Sequence, residues 1–454
     1  MLDRSRAPAL GVDRPFRFPG IRKRRLANGL SIWTVSHGRV PVVTMVLLIR
    51  AGSSADPADR PGLASLTGDM LDEGSGDRTT LEMHEALARI GAQFDTEVGP
   101  DATFLTLTTL SRFRRDGMAL LGDMVIRPRF DPADFERVRQ LRMNRLRQLK
   151  DVPSAVADRA FTAALFGAHP YGHLAIGTTT ALEAMSLDQV RAFHQTAFVP
   201  ERAVLLVAGD LDHDAAERDA QDVFGPWTVP PGWQPLPEPV LGRPPDPRDR
   251  VLLVDRPGAA QSELRVGHSG APRSTPDYHA LLLANLVLGG QFVSRLNMNL
   301  RERRGFTYGA RSFFEFRVGA GAFQMQASVQ TDATADAIRE AIGEVERLCS
   351  TAPITEAELD TARAALTRGY PRNFETADQI ARSVAQLALY ELPDDYFATF
   401  VPRIRSLTLE DVQDAAGRHL RPDRLVSLAV GDAARVASGL EALGRGPVVR
   451  LDPP

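Results

Sequence analysis

MSLDQVRAFHQTAFVPERAVLLVAGD, at Met185–Asp210, and LTLEDVQDAAGRHLRPDRLVSLAVGD, at Leu407–Asp432, align without a gap at an offset of 222 residues. Eight of the 26 aligned positions are identical. In each copy a hydroxyl residue, Ser186 or Thr408, stands where it can cap a short helix. A turn with a proline and an arginine follows, and an apolar strand closed by Gly-Asp ends the unit. The pattern predicts a helix–turn–strand unit that occurs twice through duplication.

A proline-rich segment separates the two copies. Nine of the 25 residues of Pro226–Arg250 are proline, so the segment can form neither a helix nor a central strand. We interpret it as a stiff, extended linker. The sequence then divides into a tail at 1–20, a first domain at 21–225, the linker at 226–250 and a second domain at 251–454. Each domain is large enough to bury a core of its own.

Composition excludes several classes of protein. Of 454 residues, 43% are hydrophobic and 24% are charged, as in folded globular chains. The net charge of −3 gives no indication of a nucleic-acid or membrane-surface partner. A single cysteine, Cys349, excludes a disulfide framework and a cysteine-based metal cluster. No apolar run is long enough to span a membrane, and Met1–Gly20 lacks the apolar core of a signal peptide, so we expect a cytoplasmic protein.

Strand and helix patterns follow one another in a similar order in both halves. An Asn28-Gly29 turn precedes the first strand and predicts a hairpin. We predict strands at Leu30–Val35, Val42–Arg50, Phe104–Leu110, Val251–Asp255, Glu263–Gly267 and Ala322–Gln330. We predict helices at Gly62–Leu71, Thr80–Ile90, Asp131–Lys150, Val156–Phe166, Asp277–Leu288, Ala333–Leu348 and Glu356–Arg368. This mixture predicts an α+β fold with two antiparallel-rich sheets packed against helices.

An ordered series of motifs resembles a known family. The segments are GLASLTGDMLDEGS at Gly62–Ser75, HPYGHLAIG at His169–Gly177 and GGQFVSRLNMNLRERRGFTYGARS at Gly289–Ser312. Together with the repeated strand they resemble the pitrilysin or insulinase-like zinc metalloendopeptidases, across roughly residues 22 to 432. The resemblance implies two domains arranged as a half-clamshell, two of which enclose a peptide chamber.

The zinc motif of that family is degenerate in this chain. Active members carry His-x-x-Glu-His, in which two histidines bind the metal and the glutamate is the general base. The matching positions here include Ser65, Gly68 and Asp69, so both histidines and the base are missing. The family's distal glutamate ligand matches Arg142–Met143, where no carboxylate stands. We therefore expect no metal and no cofactor in this chain.

Other histidines offer no replacement site. His169 and His173 are close in sequence, but Pro170 and Gly172 between them predict a turn, not a helix face that presents both rings. We interpret them as loop histidines with local hydrogen bonds. His84 lacks the second histidine of a zinc-binding helix, and we place it on a solvated helix face.

Acidic and nucleophilic residues also lack partners in the sequence. Asp69, Asp72 and Glu73 cluster, and we interpret them as exposed acids at a helix end. Ser65 has no neighbouring base, so it is interpreted as a small packing residue. Cys349, at a helix end, is interpreted as a partly buried thiol.

Arg301 and Tyr308 are the predicted site residues. They are seven residues apart in LRERRGFTY, and the resemblance implies that they form the family's Arg/Tyr pair. A tyrosine hydroxyl can donate to a scissile carbonyl as it becomes an oxyanion, and a guanidinium adds fixed positive charge. In this family the pair reaches the metal across a chamber built by two half-molecules, and so can act from a different chain. From residue types alone, a surface arginine and a strand-start tyrosine would be the simpler interpretation.

The resemblance implies a zinc-free, substrate-binding subunit of a heterodimeric metalloendopeptidase, as in bacterial heterodimers and the mitochondrial processing peptidase. The partner would be a homologous subunit that brings zinc, its ligands and the base, and the substrate would be a peptide. The alternative is a non-peptidase assembly protein, like the respiratory-complex core subunits that share the fold. A peptide would add to an exposed strand edge, for which Phe323–Val329 and the segment after Gly99 are candidates.

Overall fold

The computed structural model describes residues 17–38, 40–247 and 250–453. The prediction for the tail at 1–20 therefore falls mostly outside the described residues. The first half contains strands β1 Arg22–Arg25, β2 Ser31–Ser36, β3 Val42–Ile49, β4 Gln93–Val98, β5 Thr103–Leu110 and β6 Ala203–Gly209. Its helices are α1 Leu63–Asp69, α2 Thr80–Arg89, α3 Arg114–Ile126, α4 Pro132–Lys150, α5 Pro153–Phe166, α6 Thr179–Ala184, α7 Leu187–Ala197 and α8 His213–Phe224.

The second half repeats this order with a different beginning and end. Its strands are β7 Val251–Asp255, β8 Gln261–Gly270, β9 Thr307–Glu315, β10 Gly321–Gln330, β11 Val426–Gly431 and β12 Val448–Leu451. Its α-helices are α9 Tyr278–Asn285, α10 Thr334–Cys349, α11 Glu356–Arg368, α12 Ala377–Leu389, α13 Tyr396–Ser406, α14 Leu409–His419 and α15 Ala433–Glu441. Two π-helical segments, Leu286–Gly290 and Asn297–Arg303, lie between α9 and β9.

Both halves form a six-stranded mixed sheet with the same internal strand order. The orders are β1-β2-β6-β3-β5-β4 and β12-β7-β11-β8-β10-β9. Antiparallel pairs predominate, and the pairs β2–β6, β7–β11 and β7–β12 are parallel. The expected α+β class is confirmed. The repeated sequence forms α7 and β6 in one half and α14 and β11 in the other, and Ser186 and Thr408 cap the two helices as expected.

One helix of each half packs on the sheet of the other half. Helix α5 of the first half packs on β8 and β11 of the second sheet, and α12 of the second half packs on β3 and β6 of the first sheet. The largest apolar cluster consequently joins Val46 and Leu206 of the first half to Ile380 and Val384 of the second. One face of each sheet is therefore covered by the other half, while a second apolar cluster, from Leu26 to Trp227, is a core that the first half buries on its own.

The proline-rich linker lies on the protein surface and is tied to both halves. Its described residues, 226–247 and 250, contain neither helix nor strand. Trp233 donates its ring N–H to the carbonyl of Thr196 in the first half at 3.2 Å, and the N–H of Ala320 in the second half donates to the carbonyl of Leu241 at 3.4 Å. Among the described helices, none has the length and apolar character needed to cross a bilayer.

Both predicted peptide-binding edges are interior strands. Phe323–Val329 belongs to β10, which lies between β8 and β9, and the segment after Gly99 leads into β5, which lies between β3 and β4. Of the outer strands beside them, β4 was not predicted from the sequence, and β9 was predicted only at its start, where Tyr308 was interpreted as a strand-start residue. Strand β4 (QFDTEV) alternates exposed and half-buried positions and has no apolar run, which is why its sequence does not read as a strand.

Candidate functional site

Helix α1 carries the positions that correspond to the zinc motif. The Asp56 carboxylate holds its start, accepting from the backbone N–H groups of Gly62 and Ala64, each at 2.7 Å. His173 lies with its Nε2 3.0 Å from the same carboxylate. The loop containing His173 therefore fixes the entry to α1, as expected for a histidine with a local structural role.

An ion pair takes the place of the metal site between α1 and α4. Arg142, on α4, forms a short ion pair with Asp69, at the last position of the degenerate motif. Its Nη2 also donates to the carbonyls of Ala175 and Ile176 at 3.2 and 3.1 Å. The Arg142 side chain is 10% exposed and that of Asp69 is 37% exposed. A fixed cation thus joins the two helices on which the resemblance places the metal ligands.

Gly68, at the position of the general base, has no room for a side chain. A Cβ built on Gly68 would lie 2.9 Å from the Cγ2 of Thr96 on β4, closer than carbon atoms pack. The lone carboxylate of the motif, Asp69, is already bound by a guanidinium, so the residues present do not fit a zinc ion. Within the described ranges, no group of three or more His, Cys, Asp or Glu side chains could hold a metal.

The neighbouring acids are paired, and the expectation that they are simply exposed is wrong. Glu73 forms a short ion pair with Arg137, and Asp72 lies 3.9 Å from His84. Burial raises the pKa of the Asp72 carboxyl to about 6, and the negative charge of Glu73 adds to the rise. These contacts tie the end of α1 to α2 and α4 and present no free ligand set.

Cys349 and His169 both have contacts that suit a structural role. Burial raises the pKa of the Cys349 thiol, so the thiolate is disfavoured, and its Sγ lies 3.9 Å from the carbonyl of Leu420. His169 accepts from the backbone N–H of Tyr171 at 3.1 Å through Nδ1, so its Nε2 is the nitrogen that donates to Gly242. Ser65 is half-buried on α1.

Arg301 lies in the second π-helical segment, just before the chain turns into β9. Gly305 adopts a φ of +66°, and this reversal lets the N–H of Phe306 bond the carbonyl of Leu300 at 2.9 Å. The Arg301 guanidinium stacks over the Phe292 ring, 4.2 Å from its centroid. Its nearest carboxylate, on Glu302, is 3.6 Å away, and Nη1 has no hydrogen-bond partner. Nη1 is itself buried, so only the exposed part of the guanidinium can donate to a ligand; 32% of the side chain is exposed.

Tyr308 projects from β9, the outer strand of the second sheet. Its side chain is 94% exposed, whereas the other five tyrosines are buried or half-buried. A tyrosine with this exposure does not pack in the core, so a role in the core does not explain its presence on the strand. The hydroxyl is thus presented to solvent at the start of the strand.

Tyr308 lines an open cleft, and Arg301 stacks on a residue that lines the same cleft. Tyr308 and Phe292, on which Arg301 stacks, line a cavity of about 710 Å³. Its floor includes Arg265, a buried cation that bonds Asp158 at 2.7 Å and Glu263 at 3.1 Å. Tyr308 thus lies at a polar cleft and Arg301 beside it, through Phe292, in the second half, while the degenerate motif lies in the first half.

Two family models match consecutive parts of the chain. A sequence model described as Insulinase (Peptidase family M16) matches residues 32–179, and one described as Peptidase M16 inactive domain matches residues 184–366. Together they cover about three-quarters of the chain. The chain belongs to peptidase family M16. The resemblance read from the motifs is confirmed.

Curated M16 relatives are distant in sequence but similar in length. An uncharacterized zinc protease of Mycobacterium leprae is 27% identical over 78% of this chain and 79% of its own length. One of Mycobacterium tuberculosis is 26% identical over 90% of this chain and 93% of its own.

Solved structures share the fold over most of their length. A peptidase M16 inactive domain from Pseudomonas fluorescens has a TM-score of 0.83 at 26% identity, covering 91% of this chain and 98% of that one. A protease from Helicobacter pylori gives 0.85 at 19% identity, over 91% and 100% of the two chains. A chain of complex III2 from Candida albicans gives 0.77 at 14% identity, over 93% and 99%. The last two show the fold alone.

Sequence reasoning did not predict the role of Arg142. It noted that the M16 distal-ligand position lacks a carboxylate, but not that Arg142 and Asp69, 73 residues apart, have opposite charges at two positions that share one metal in active relatives. The opposite charges at these two positions were the feature of the sequence from which the ion pair could have been predicted. Asp56 and Thr307, which fix α1 and β9, carried no signal that could be read without the fold.

Proposed function

We propose that this chain is the zinc-free, substrate-binding subunit of a heterodimeric M16 metalloendopeptidase that cleaves peptides in a chamber formed with its partner. The observation that carries the proposal is the contrast between the two halves. The metal positions are filled by the Asp69–Arg142 ion pair, whereas Tyr308 is exposed at an open cleft and Arg301 stacks on Phe292, which lines the same cleft. A chain that had kept only the fold would have no reason to expose a tyrosine there.

Two groups of this chain would act on the substrate. The Tyr308 hydroxyl donates a hydrogen bond to the scissile carbonyl oxygen as negative charge develops on it. The Arg301 guanidinium, oriented by its stack on Phe292, adds a fixed positive charge and free N–H donors. The homologous partner subunit supplies the zinc ion, its ligands and the general base.

An edge strand would hold the peptide in extended form. Among the described strands, β4 pairs with β5 alone, so its outer N–H and C=O groups can accept an added strand. Main-chain hydrogen bonds of this kind recognise the peptide backbone and not its sequence. This mode suits peptides and unfolded segments of varied sequence.

The test combines this chain with a homologue from the same genome that bears an intact His-x-x-Glu-His motif. Each purified subunit and their mixture are assayed with a quenched fluorogenic peptide, with and without a chelator. We expect cleavage in the mixture only, and its loss with the chelator. Tyr308→Phe should lower kcat by roughly 10²- to 10³-fold, the usual cost of removing one oxyanion donor.

Arg301→Gln should also lower kcat, because it removes the fixed positive charge, and Arg303→Gln is its matched control. Arg303 lies on the same π-helical segment but lines a different groove, beside Arg304 and Glu340. We expect Arg303→Gln to leave turnover within about twofold of the unchanged mixture, as for a surface substitution. Unchanged turnover in Tyr308→Phe would remove Tyr308 from the mechanism. A stable complex without any cleavage would favour the assembly role instead.

A further inference from the structure

A β-bulge lies directly under Tyr308. Along the β9–β10 ladder, Ala310 pairs with Ala327 and Thr307 pairs with Val329. Two residues of β9, Tyr308 and Gly309, therefore lie opposite the single residue Ser328 of β10. A bulge of this kind bends its strand and redirects a side chain.

The Thr307 side chain closes the bulge. Its Oγ1 lies 2.7 Å from the carbonyl oxygen of Ser328 and 2.9 Å from that of Gly309, and its hydrogen can be donated to either. The same oxygen accepts from the N–H of Gly309 at 3.1 Å. One hydroxyl thus bonds the backbone of Gly309, which follows Tyr308, and the backbone of Ser328 on the neighbouring strand.

Asn297 fixes the other side of the bulge. Its Oδ1 accepts from the N–H of Ala310 at 2.9 Å, and its Nδ2 donates to the carbonyl of Gln291 at 3.2 Å. Asn297 is buried at the start of the π-helical segment that carries Arg301. The strand that bears the tyrosine and the segment that bears the arginine are therefore connected by one buried amide.

We infer that Thr307 is a positioning residue, which holds the Tyr308 hydroxyl at a fixed place relative to Arg301 and the substrate carbonyl. This inference rests on the proposed function of the Arg/Tyr pair. A side chain that is 94% exposed receives almost no packing support, so its direction depends on the backbone beneath it. Displacement of a catalytic group by about 1 Å can cost up to about 10²-fold in rate.

The test uses Thr307→Val, which keeps the branched shape and removes the hydroxyl, and Thr307→Ser, which keeps the hydroxyl. In the mixture with the zinc-bearing homologue, Thr307→Val should lower kcat by about ten- to hundredfold with KM within about twofold, and Thr307→Ser should restore most of the rate. The Thr307→Val/Tyr308→Phe double variant should be no slower than Tyr308→Phe. Thr361→Val, at an exposed helix threonine, is the matched control and should leave the rate unchanged.

Hydrogen exchange of the isolated chain gives a readout that needs no partner. Thr307→Val should speed exchange in the segment 306–311, and Thr307→Ser should not, because the Gly309 amide keeps its acceptor. If Tyr308→Phe slows the mixture while Thr307→Val runs at full rate, the positioning role is wrong and the proposed function stands. If Tyr308→Phe has no effect, both are wrong. Equal exchange in Thr307→Val and the unchanged chain would also overturn the positioning role.

Discussion

Breaking the ion pair between Asp69 and Arg142 tests whether it holds α1 to α4. Arg142→Met removes the guanidinium from Asp69 and from the carbonyls of Ala175 and Ile176. Exposed ion pairs contribute about 0–1 kcal/mol, and breaking a fully buried one costs about 3–5 kcal/mol. Because Arg142 is mostly buried and Asp69 is partly exposed, we expect a loss of about 2–3 kcal/mol in the free energy of unfolding.

A double-mutant cycle isolates the pair itself. Asp69→Asn leaves both carbonyl bonds of Arg142 intact, so its expected cost is smaller, about 1 kcal/mol. The Asp69→Asn/Arg142→Met variant should then be more stable than the two single losses predict, by a coupling free energy of about 1–2 kcal/mol.

Urea unfolding followed by circular dichroism measures all three variants. Arg145→Met, at an exposed position of α4, is the control and should change stability by less than about 0.5 kcal/mol. A coupling below about 0.5 kcal/mol, or an Arg142→Met loss no larger than that of the control, would refute the idea that this pair replaces the metal as a structural link.

Three further predictions concern the metal positions and the pH dependence of stability. Ser65→His, Asp69→His and Arg142→Glu together should give a chain that retains about one zinc ion after dialysis, whereas the two histidine substitutions without Arg142→Glu should retain none, as metal analysis would show. Burial raises the pKa of Asp72 to about 6 in the folded chain, so the folded chain binds a proton more tightly than the unfolded chain does. The free energy of unfolding should therefore fall by up to about 3 kcal/mol as the pH rises from about 4 to 6. Denaturant titrations at several pH values should show that Asp72→Asn removes this dependence. Burial lowers the pKa of His268 to about 4, so its effect on stability has the opposite sign. Its contribution to the free energy of unfolding is fully present above about pH 6.5 and falls by about 3 kcal/mol as the pH drops towards 4. In the same titrations, His268→Gln should reduce the loss of stability at acid pH.

Local sequence patterns were sufficient for much of the fold. The repeated helix–turn–strand unit was predictable because its hydroxyl cap, its apolar strand and its closing Gly-Asp all lie within 26 residues. Strand β4 was not predicted, and β9 was predicted only at its start near Tyr308, because both are outer strands and their sequences mix polar and apolar residues. An apolar helix face predicts burial but not the covering surface, so the exchange of α5 and α12 between the halves could not be predicted.

The candidate site was also predictable from the sequence only in part. Loss of the zinc ligands at Ser65 and Asp69 and presence of Arg301 and Tyr308 could be read from motif spacing. The ion pair of Asp69 with Arg142 and the bulge held by Thr307 could not, because each depends on contacts between segments that only the folded chain brings together.

A titration tests the proposed division of catalytic function between two subunits most directly. Increasing amounts of the metal-loaded homologue are added to a fixed amount of this chain, with peptide cleavage and bound zinc measured at each ratio. We predict that this chain alone contains less than about 0.1 zinc per molecule and cleaves nothing, and that activity saturates at a 1:1 ratio. A full zinc equivalent in the isolated chain, or cleavage by it before any homologue is added, would contradict the account.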